Sequence, residues 1–160
     1  MPSRHFVAAV VIALTLAGCG EESSGSGRLQ VERVTKGSGR LLDGPARASY
    51  CPAESLLTVI AVGPVWSGGL ALRVALPVRA PVTVQVRRTL DSLGSATAAF
   101  RPAGGVARFG VSGTVTLRPS SAIDGVFQVS VTDSAGPNAV FRGRLSNVAY
   151  STEPGPPCRP

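Results

Sequence analysis

The sequence predicts an all-β protein, an antiparallel sandwich or a small meander barrel of about 8–9 strands. Three observations lead there. From Arg28 onward apolar residues recur with period two, the breaks between runs are made by Gly, Pro, Asn and Asp, and no alternation of strand and helix patterns appears. The chain has 160 residues, 44% hydrophobic and 16% charged, which is one domain's worth with enough apolar side chain for one core. Gly (19) and Pro (13) together make one residue in five, short of the roughly 25–30% that marks low complexity.

The clearest strand is Val82, Val84 and Val86 alternating with Thr83, Gln85 and Arg87, a pattern with one face buried and one wet. Phe127, Val129 and Val131 repeat it against Gln128, Ser130 and Thr132, as do Phe141, Gly143 and Leu145 against Arg142, Arg144 and Ser146. Val115 and Leu117 behave likewise. Strands are expected near residues 29–35, 46–51, 55–62, 69–77, 81–88, 95–101, 107–117, 125–132 and 139–148. Turn formers at 90–95, 118–125 and 133–138 predict that successive strands pair as antiparallel hairpins. A helix is allowed only at 52–57, where Pro52 and Glu54 suit a first turn. Strand parity assigns Tyr50, Phe100, Phe109, Phe127 and Phe141 to the core.

Residues 6–17 (FVAAVVIALTLA) form an uncharged apolar run behind Arg4, too short for the roughly 20 residues that span a bilayer, and ordered like a secretory signal. The run ends in Leu16-Ala17-Gly18-Cys19. Here the chain resembles the bacterial lipoprotein family, whose lipobox is a Leu, two small residues and a Cys. The resemblance covers about the first 20 residues. It implies that residues 1–18 are removed, that Cys19 receives a diacylglycerol on its sulfur, and that the new amino group is acylated, with palmitate as a typical chain. Gly20 stands where an Asp would favour inner-membrane retention in enterobacterial lipoproteins, so the resemblance implies a lipid-anchored envelope protein of the outer membrane. Residues 19–27 then form the lipidated start and a Gly/Ser tether, whose eight residues after Cys19 span about 16 Å root-mean-square. The β-rich domain is expected over 28–150 and a Pro-rich tail over 151–160. The run GTVTLRP, GVFQVSV and AVFRGRL with a late Cys is also similar to the carboxy-terminal region of uncharacterised β-rich bacterial lipoproteins, which carries no known chemistry.

Cys51 and Cys158 remain once Cys19 is assigned, and in an exported chain two thiols are expected to form a disulfide. A bridge closing a loop of roughly 100 residues stabilises by about 4.7 kcal/mol in the chain-entropy view. Its expected role is to pin the tail onto the domain. A reactive or metal-binding pair would call for a CxxC spacing or a His, and His5 is the sole His of the chain.

Catalytic motifs are scarce. There is no GxSxG elbow, no GxxxxGK[ST] phosphate loop and no HExxH zinc motif, and GVSGT at 110–114 misses the elbow by one position. Glu32, Asp43, Glu54, Asp91, Asp124 and Asp133 are the domain's carboxylates, and a carboxylate-based enzyme acting on envelope polysaccharide would need two of them to converge. The expectation is no enzymatic activity, no cofactor and no metal. From residue 19 on, 15 basic residues, 14 of them Arg, stand against 9 acidic ones. Arg142 and Arg144 fall on one wet face, joined by Arg87 if its strand is a neighbour, and would bind an anionic envelope lipid or polymer through bidentate contacts. Nucleic acid is a poor partner for an exported, anchored chain. Trp66, the sole Trp, stands in the Gly-flanked Gly63-Pro64-Val65-Trp66-Ser67-Gly68-Gly69, read as a turn between strands. It either packs as core or lines the pocket of a barrel that carries a small apolar ligand, a rival reading that small residues in LALRVALP and SATAAF would serve.

The sequence therefore predicts a lipid-anchored, non-catalytic binding or structural module of the cell envelope. A β-barrel carrier and a carboxylate enzyme are its rivals.

Overall fold

Ten strands account for most of the chain. The computed structural model describes residues 27–34, 39–133 and 136–152, so Cys19, residues 20–26 and residues 153–160 with Cys158 lie outside it. In chain order the strands are β1 (Arg28–Arg33), β2 (Gly39–Cys51), β3 (Leu56–Val62), β4 (Trp66–Arg73), β5 (Val82–Val86), β6 (Ser95–Pro102), β7 (Arg108–Arg118), β8 (Ile123–Asp133), β9 (Gly136–Val148) and β10 (Tyr150–Thr152). The helical signal at Pro52 yields one 3₁₀ turn, Pro52–Glu54, ended by Ser55 in a left-handed conformation. Tertiary pairing leaves it no room to grow, because β3 starts at Leu56 against Cys51.

The strands form a sheet in the order β1-β9-β8-β7-β5-β6-β4-β3-β2, and β1 pairs back onto β2, closing nine strands into a barrel. Closure resolves the choice between sandwich and barrel. It also removes most free strand edges, which for exposed backbone donors and acceptors is the safer outcome. The tenth strand lies parallel to β2, with Tyr150 opposite Ala48 and Thr152 opposite Tyr50. It takes the side of β2 that β1 leaves open, since β1 reaches only to Pro45. Two residues assigned to the tail, Ser151 and Thr152, thus belong to the sheet.

Most consecutive strands pair as antiparallel hairpins, as their turn residues predict, but β4 and β5 do not. Residues 74–81 contain Pro77 and Pro81, which lack the N–H a tight hairpin ladder needs, and the segment crosses one mouth of the barrel instead. β4 pairs with β6, while β5 slots between β6 and β7. The predicted β5–β6 hairpin is a short parallel contact of two residue pairs, Gln85 with Ser95 and Val86 with Ala96.

β7 serves two partners. Phe109 faces Ala99 of β6 and Thr132 of β8, whereas Gly113 to Leu117 face β5. Between them Gly110 pairs with Val131 and Ser112 with Ser130, so Val111 is an extra residue, a β-bulge. Gly113 completes the bend at φ +139°, where an added Cβ would lie 2.1 Å from the Gln128 carbonyl oxygen. GVSGT is therefore a bent strand.

The bulge corrects one core assignment. An inserted residue shifts the alternation, so Val115 and Leu117 point inward while Phe109, of the same odd parity, points outward and is 59% exposed. Tyr50, Phe100, Phe127 and Phe141 are buried as the sequence predicts.

One continuous cluster fills the barrel. Phe100 stacks on Phe127 (centroids 6.0 Å, 17°) and meets Phe141 edge-on (5.4 Å, 65°), and Trp66 meets Phe141 edge-on in turn (5.9 Å, 84°). Such bulk fits because glycines stand opposite. A Cβ on Gly143 would lie 2.1 Å from Phe127 Cζ, and one on Gly68 would lie 2.4 Å from Phe100 Cδ1. The mouth crossed by residues 74–81 is stoppered by Leu76, Val78 and the edge-on pair Tyr50–Tyr150, with the Leu76 N–H donating to the Tyr50 hydroxyl (3.1 Å). Each fully buried side chain of this size contributes about 1.5–3 kcal/mol.

Gly143→Ala forces its methyl into the Phe127 ring, and overpacking of this kind costs about 1–3 kcal/mol. Urea denaturation of the variant should show that loss, and Phe127→Leu added to Gly143→Ala should recover part of it. An unchanged midpoint would refute the packing argument.

Candidate functional site

Two grooves lie on the outer wall of the closed barrel. On one side β1, β2 and β9 place polar residues at successive outward positions. Gln30 lies opposite Arg144 and Glu32 opposite Arg142 across β1–β9, while Gln30 lies opposite Asp43 and Glu32 opposite Arg40 across β1–β2. The alternation read from the sequence at Arg142 and Arg144 is thus the alternation in the sheet, and both side chains are exposed.

Asp43 organises this face. Its carboxylate accepts from Arg28 Nε (3.0 Å) and Nη2 (2.7 Å), from Arg40 Nη1 (2.8 Å) and from Gln30 Nε2 (3.3 Å). The hydrogen bond from Arg28 is the main cause that holds the Asp43 carboxyl below its ordinary value. Burial opposes it, and the Gln30 bond and the charges of Arg28 and Arg40 add to the lowering. Arg142 Nη2 donates to Gln128 Oε1 (3.2 Å). Arg40, Arg142 and Arg144 line a groove of about 280 Å³ together with Gln30, Glu32 and Val126. Arg142 and Arg144, with Arg40 shared with Asp43, stand around Glu32 and give the groove a positive balance that suits a phosphate or carboxylate ligand.

Arg87 does not join them. It follows β5, and both β7 and β8 stand between β5 and β9. Parity made Arg87 an outward residue, which it is, but parity carries no information on which strands are neighbours. Arg40 and Gln30, which do complete the groove, become visible only with the β1–β2–β9 pairing.

Trp66 is the first residue of β4 and points inward at the mouth opposite the 74–81 segment. One face of its ring carries the Arg108 guanidinium at 5.6 Å and its edge meets Phe141. The space beneath it is occupied by Phe141 and Phe100, and the small residues Ala96 and Ala98 are buried in the same cluster. The turn expected around it is confined to residues 63–65, since Gly63 N–H already bonds the Trp66 carbonyl (2.8 Å).

The carboxylates are spread over the barrel. Glu54 lies 3.9 Å from Arg73 Nη2, and Asp124 Oδ1 accepts the Asn147 N–H (2.8 Å). Asp91 sits in the β5–β6 connection, and the Asp133 side chain lies outside the described residues. Glu32 and Asp43 share the outer face of β1–β2 at diagonal positions. Cys51 ends β2 and is 3% exposed.

A second outer feature escaped the sequence reading. One register row runs Ile60–Gly69–Ala99–Phe109 across β3, β4, β6 and β7. Gly69 and Ala99 make a low floor between Ile60 and Phe109, and the resulting trough encloses about 640 Å³. Its one legible signal was the Gly-rich GVSG stretch, which marks a strand irregularity and hence a change of parity.

The pH dependence of stability tests the Asp43 cluster. An unfolded Asp titrates near 3.9, and the folded value lies lower, so the contribution of Asp43 is complete above that pH and is lost as pH falls through the folded value. The stability gap between the parent chain and Asp43→Asn should therefore be full near neutral pH and close as pH falls below the ordinary Asp range through the lowered folded value, as read in urea titrations. A gap that is constant with pH would contradict the assignment.

Compared with known proteins, the chain matches no family model, no curated protein and no solved structure.

Proposed function

We propose that the chain is an exported, lipid-anchored cell-envelope protein whose barrel is a non-catalytic binding module. The observation that carries this reading is the uncharged run 6–17 ending in Leu16-Ala17-Gly18-Cys19. Cys19 takes the acyl chains, two or three of which hold a protein on a membrane where one binds only marginally. Residues 20–27 tether the barrel near the bilayer, on the outer membrane facing periplasm or surface. The arginine groove at Arg40, Arg142 and Arg144 is where an anionic envelope lipid or polymer binds, by charge-assisted contacts to its phosphates or carboxylates.

A Cys51–Cys158 disulfide belongs to the same reading. β10 runs parallel to β2 and brings Thr152 abreast of Tyr50, one residue short of Cys51. Five residues separate Thr152 from Cys158, and that length reaches about 20 Å when extended, ample to return to Cys51. The bridge fastens the last strand to the barrel.

Intact and peptide mass spectrometry of the protein from its native membrane fraction tests the anchor and the bridge together. The expected result is a chain beginning at Cys19 with added acyl mass and a reducible Cys51–Cys158 link. A chain retaining residues 1–18, or an unmodified Cys19, would overturn the anchor. For the groove, Arg142→Glu combined with Arg144→Glu should weaken binding to lipopolysaccharide roughly tenfold or more, the scale of lost charge-assisted contacts. Equal binding by the parent chain and the double variant would remove the groove from the proposal.

A further inference from the structure

Seven large apolar side chains are exposed among the described residues, and five of them, Ile60, Val62, Val65, Val106 and Phe109, belong to one side of one mouth of the barrel. Their contiguity follows from the pairing. Ile60 and Phe109 bound the row through Gly69 and Ala99, and Val62 closes the next row through Ser67 to Arg101. Val65 is joined to the β6–β7 turn by the Ala103 N–H, which donates to the Val65 carbonyl (2.7 Å), and Val106 lies in that same turn. Exposed apolar groups scattered singly need no explanation, whereas a contiguous group of this kind marks a contact surface.

The charge around it says what is contacted. Residues 55–123, which supply β3 to β7, contain seven Arg and one carboxylate, Asp91. Asp91 lies in the β5–β6 connection, at the opposite mouth. Arg88 and Arg101 line the trough, and Arg108 lies over Trp66 at the same mouth. Arg101 Nε also ties down the β6–β7 turn by donating to the Gly105 carbonyl (3.0 Å). Asp133 follows Thr132, the β8 partner of Phe109, at this mouth, but Arg88, Arg101 and Arg108 outnumber it, so the apolar surface has a net cationic border that would repel a second copy of itself. It complements an anionic lipid surface, where each Arg near the headgroups contributes about 1 kcal/mol and the apolar side chains enter the headgroup–acyl boundary.

We propose that this mouth of the barrel docks directly on an anionic lipid bilayer, with Val62, Val65, Val106 and Phe109 inserted and Arg88, Arg101 and Arg108 against the headgroups. The docking needs no acyl chain on Cys19. It therefore stands or falls apart from the anchor.

The sole Trp sits at this mouth, so its fluorescence reports contact independently of anything residues 1–18 do on a vesicle. The full chain carrying Cys19→Ser is mixed with vesicles of phosphatidylglycerol and phosphatidylethanolamine containing bromine-labelled acyl chains. Trp66 emission should be quenched, and quenching should fall at least severalfold on phosphatidylcholine vesicles or when Val65, Val106 and Phe109 are all changed to Ser. Those side chains point into solvent, so the barrel should survive the changes, and denaturation curves check that it does. A second variant, Trp66→Phe with Phe109→Trp, moves the indole onto the surface itself and should be quenched more strongly. Absence of quenching in both the Cys19→Ser chain and this variant overturns the proposal, as does quenching that the triple Ser change leaves intact. Concentration-dependent self-association abolished by the same triple change, without quenching on vesicles, would assign the surface to a second copy and equally overturn it.

Discussion

The bend in β7 at residues 110–113 is the constraint on which the rest of the barrel depends. A regular strand there would run beside β6 or beside β5 along its length, because a flat ladder has one neighbour on each side. The bulge at Val111 and the positive φ of Gly113 let β7 leave β6 after Phe109 and continue along β5, so that β5 enters between them and the ring closes. The same inserted residue reverses the alternation along the strand. Closure of the barrel and exposure of Phe109 are one geometric event.

Inside, the barrel is filled by matching large rings with absent side chains. Phe100, Phe127, Phe141 and Trp66 form a chain of ring contacts from the interior to one mouth, and Gly68 and Gly143 make room for two of them. A barrel of this size has an interior that side chains can fill, and here they do. Both grooves described lie on the outer wall, and the wall is not uniform. The β1–β2–β9 side is a polar lattice in which Asp43 gathers Arg28, Arg40 and Gln30, beside the groove of Arg142 and Arg144. The side spanning β3, β4 and β6, with the start of β7, is apolar with a cationic border.

The two ends of the molecule differ as well. Gly27, the first described residue, packs against Asn147 and Val148, at the mouth that the Pro-rich 74–81 segment crosses. Trp66, Val65 and Val106 lie at the other mouth. The start of the described chain, on the side of the proposed anchor, and the proposed docking surface therefore lie at opposite ends of the barrel.

What the sequence determined by itself was periodic or local. Period-two runs at Val82–Val86, Phe127 to Val131 and Phe141 to Leu145 identified strands and most of their inward residues, since side-chain direction alternates with chain position alone. Pro52 and Glu54 marked a helical turn at the right place, and the outward orientation of Arg142 and Arg144 was legible for the same reason as the strands. Only the tertiary structure decided which strands are neighbours, because pairing between β1 and β9, β4 and β6, or β5 and β7 joins residues far apart in sequence whose side chains carry no mark of their partner. That is why Arg40 and Gln30 rather than Arg87 complete the arginine groove. It is also why Phe109 could not be placed from parity: a single extra residue in β7 acquires its meaning only once the strands on both sides of it are known.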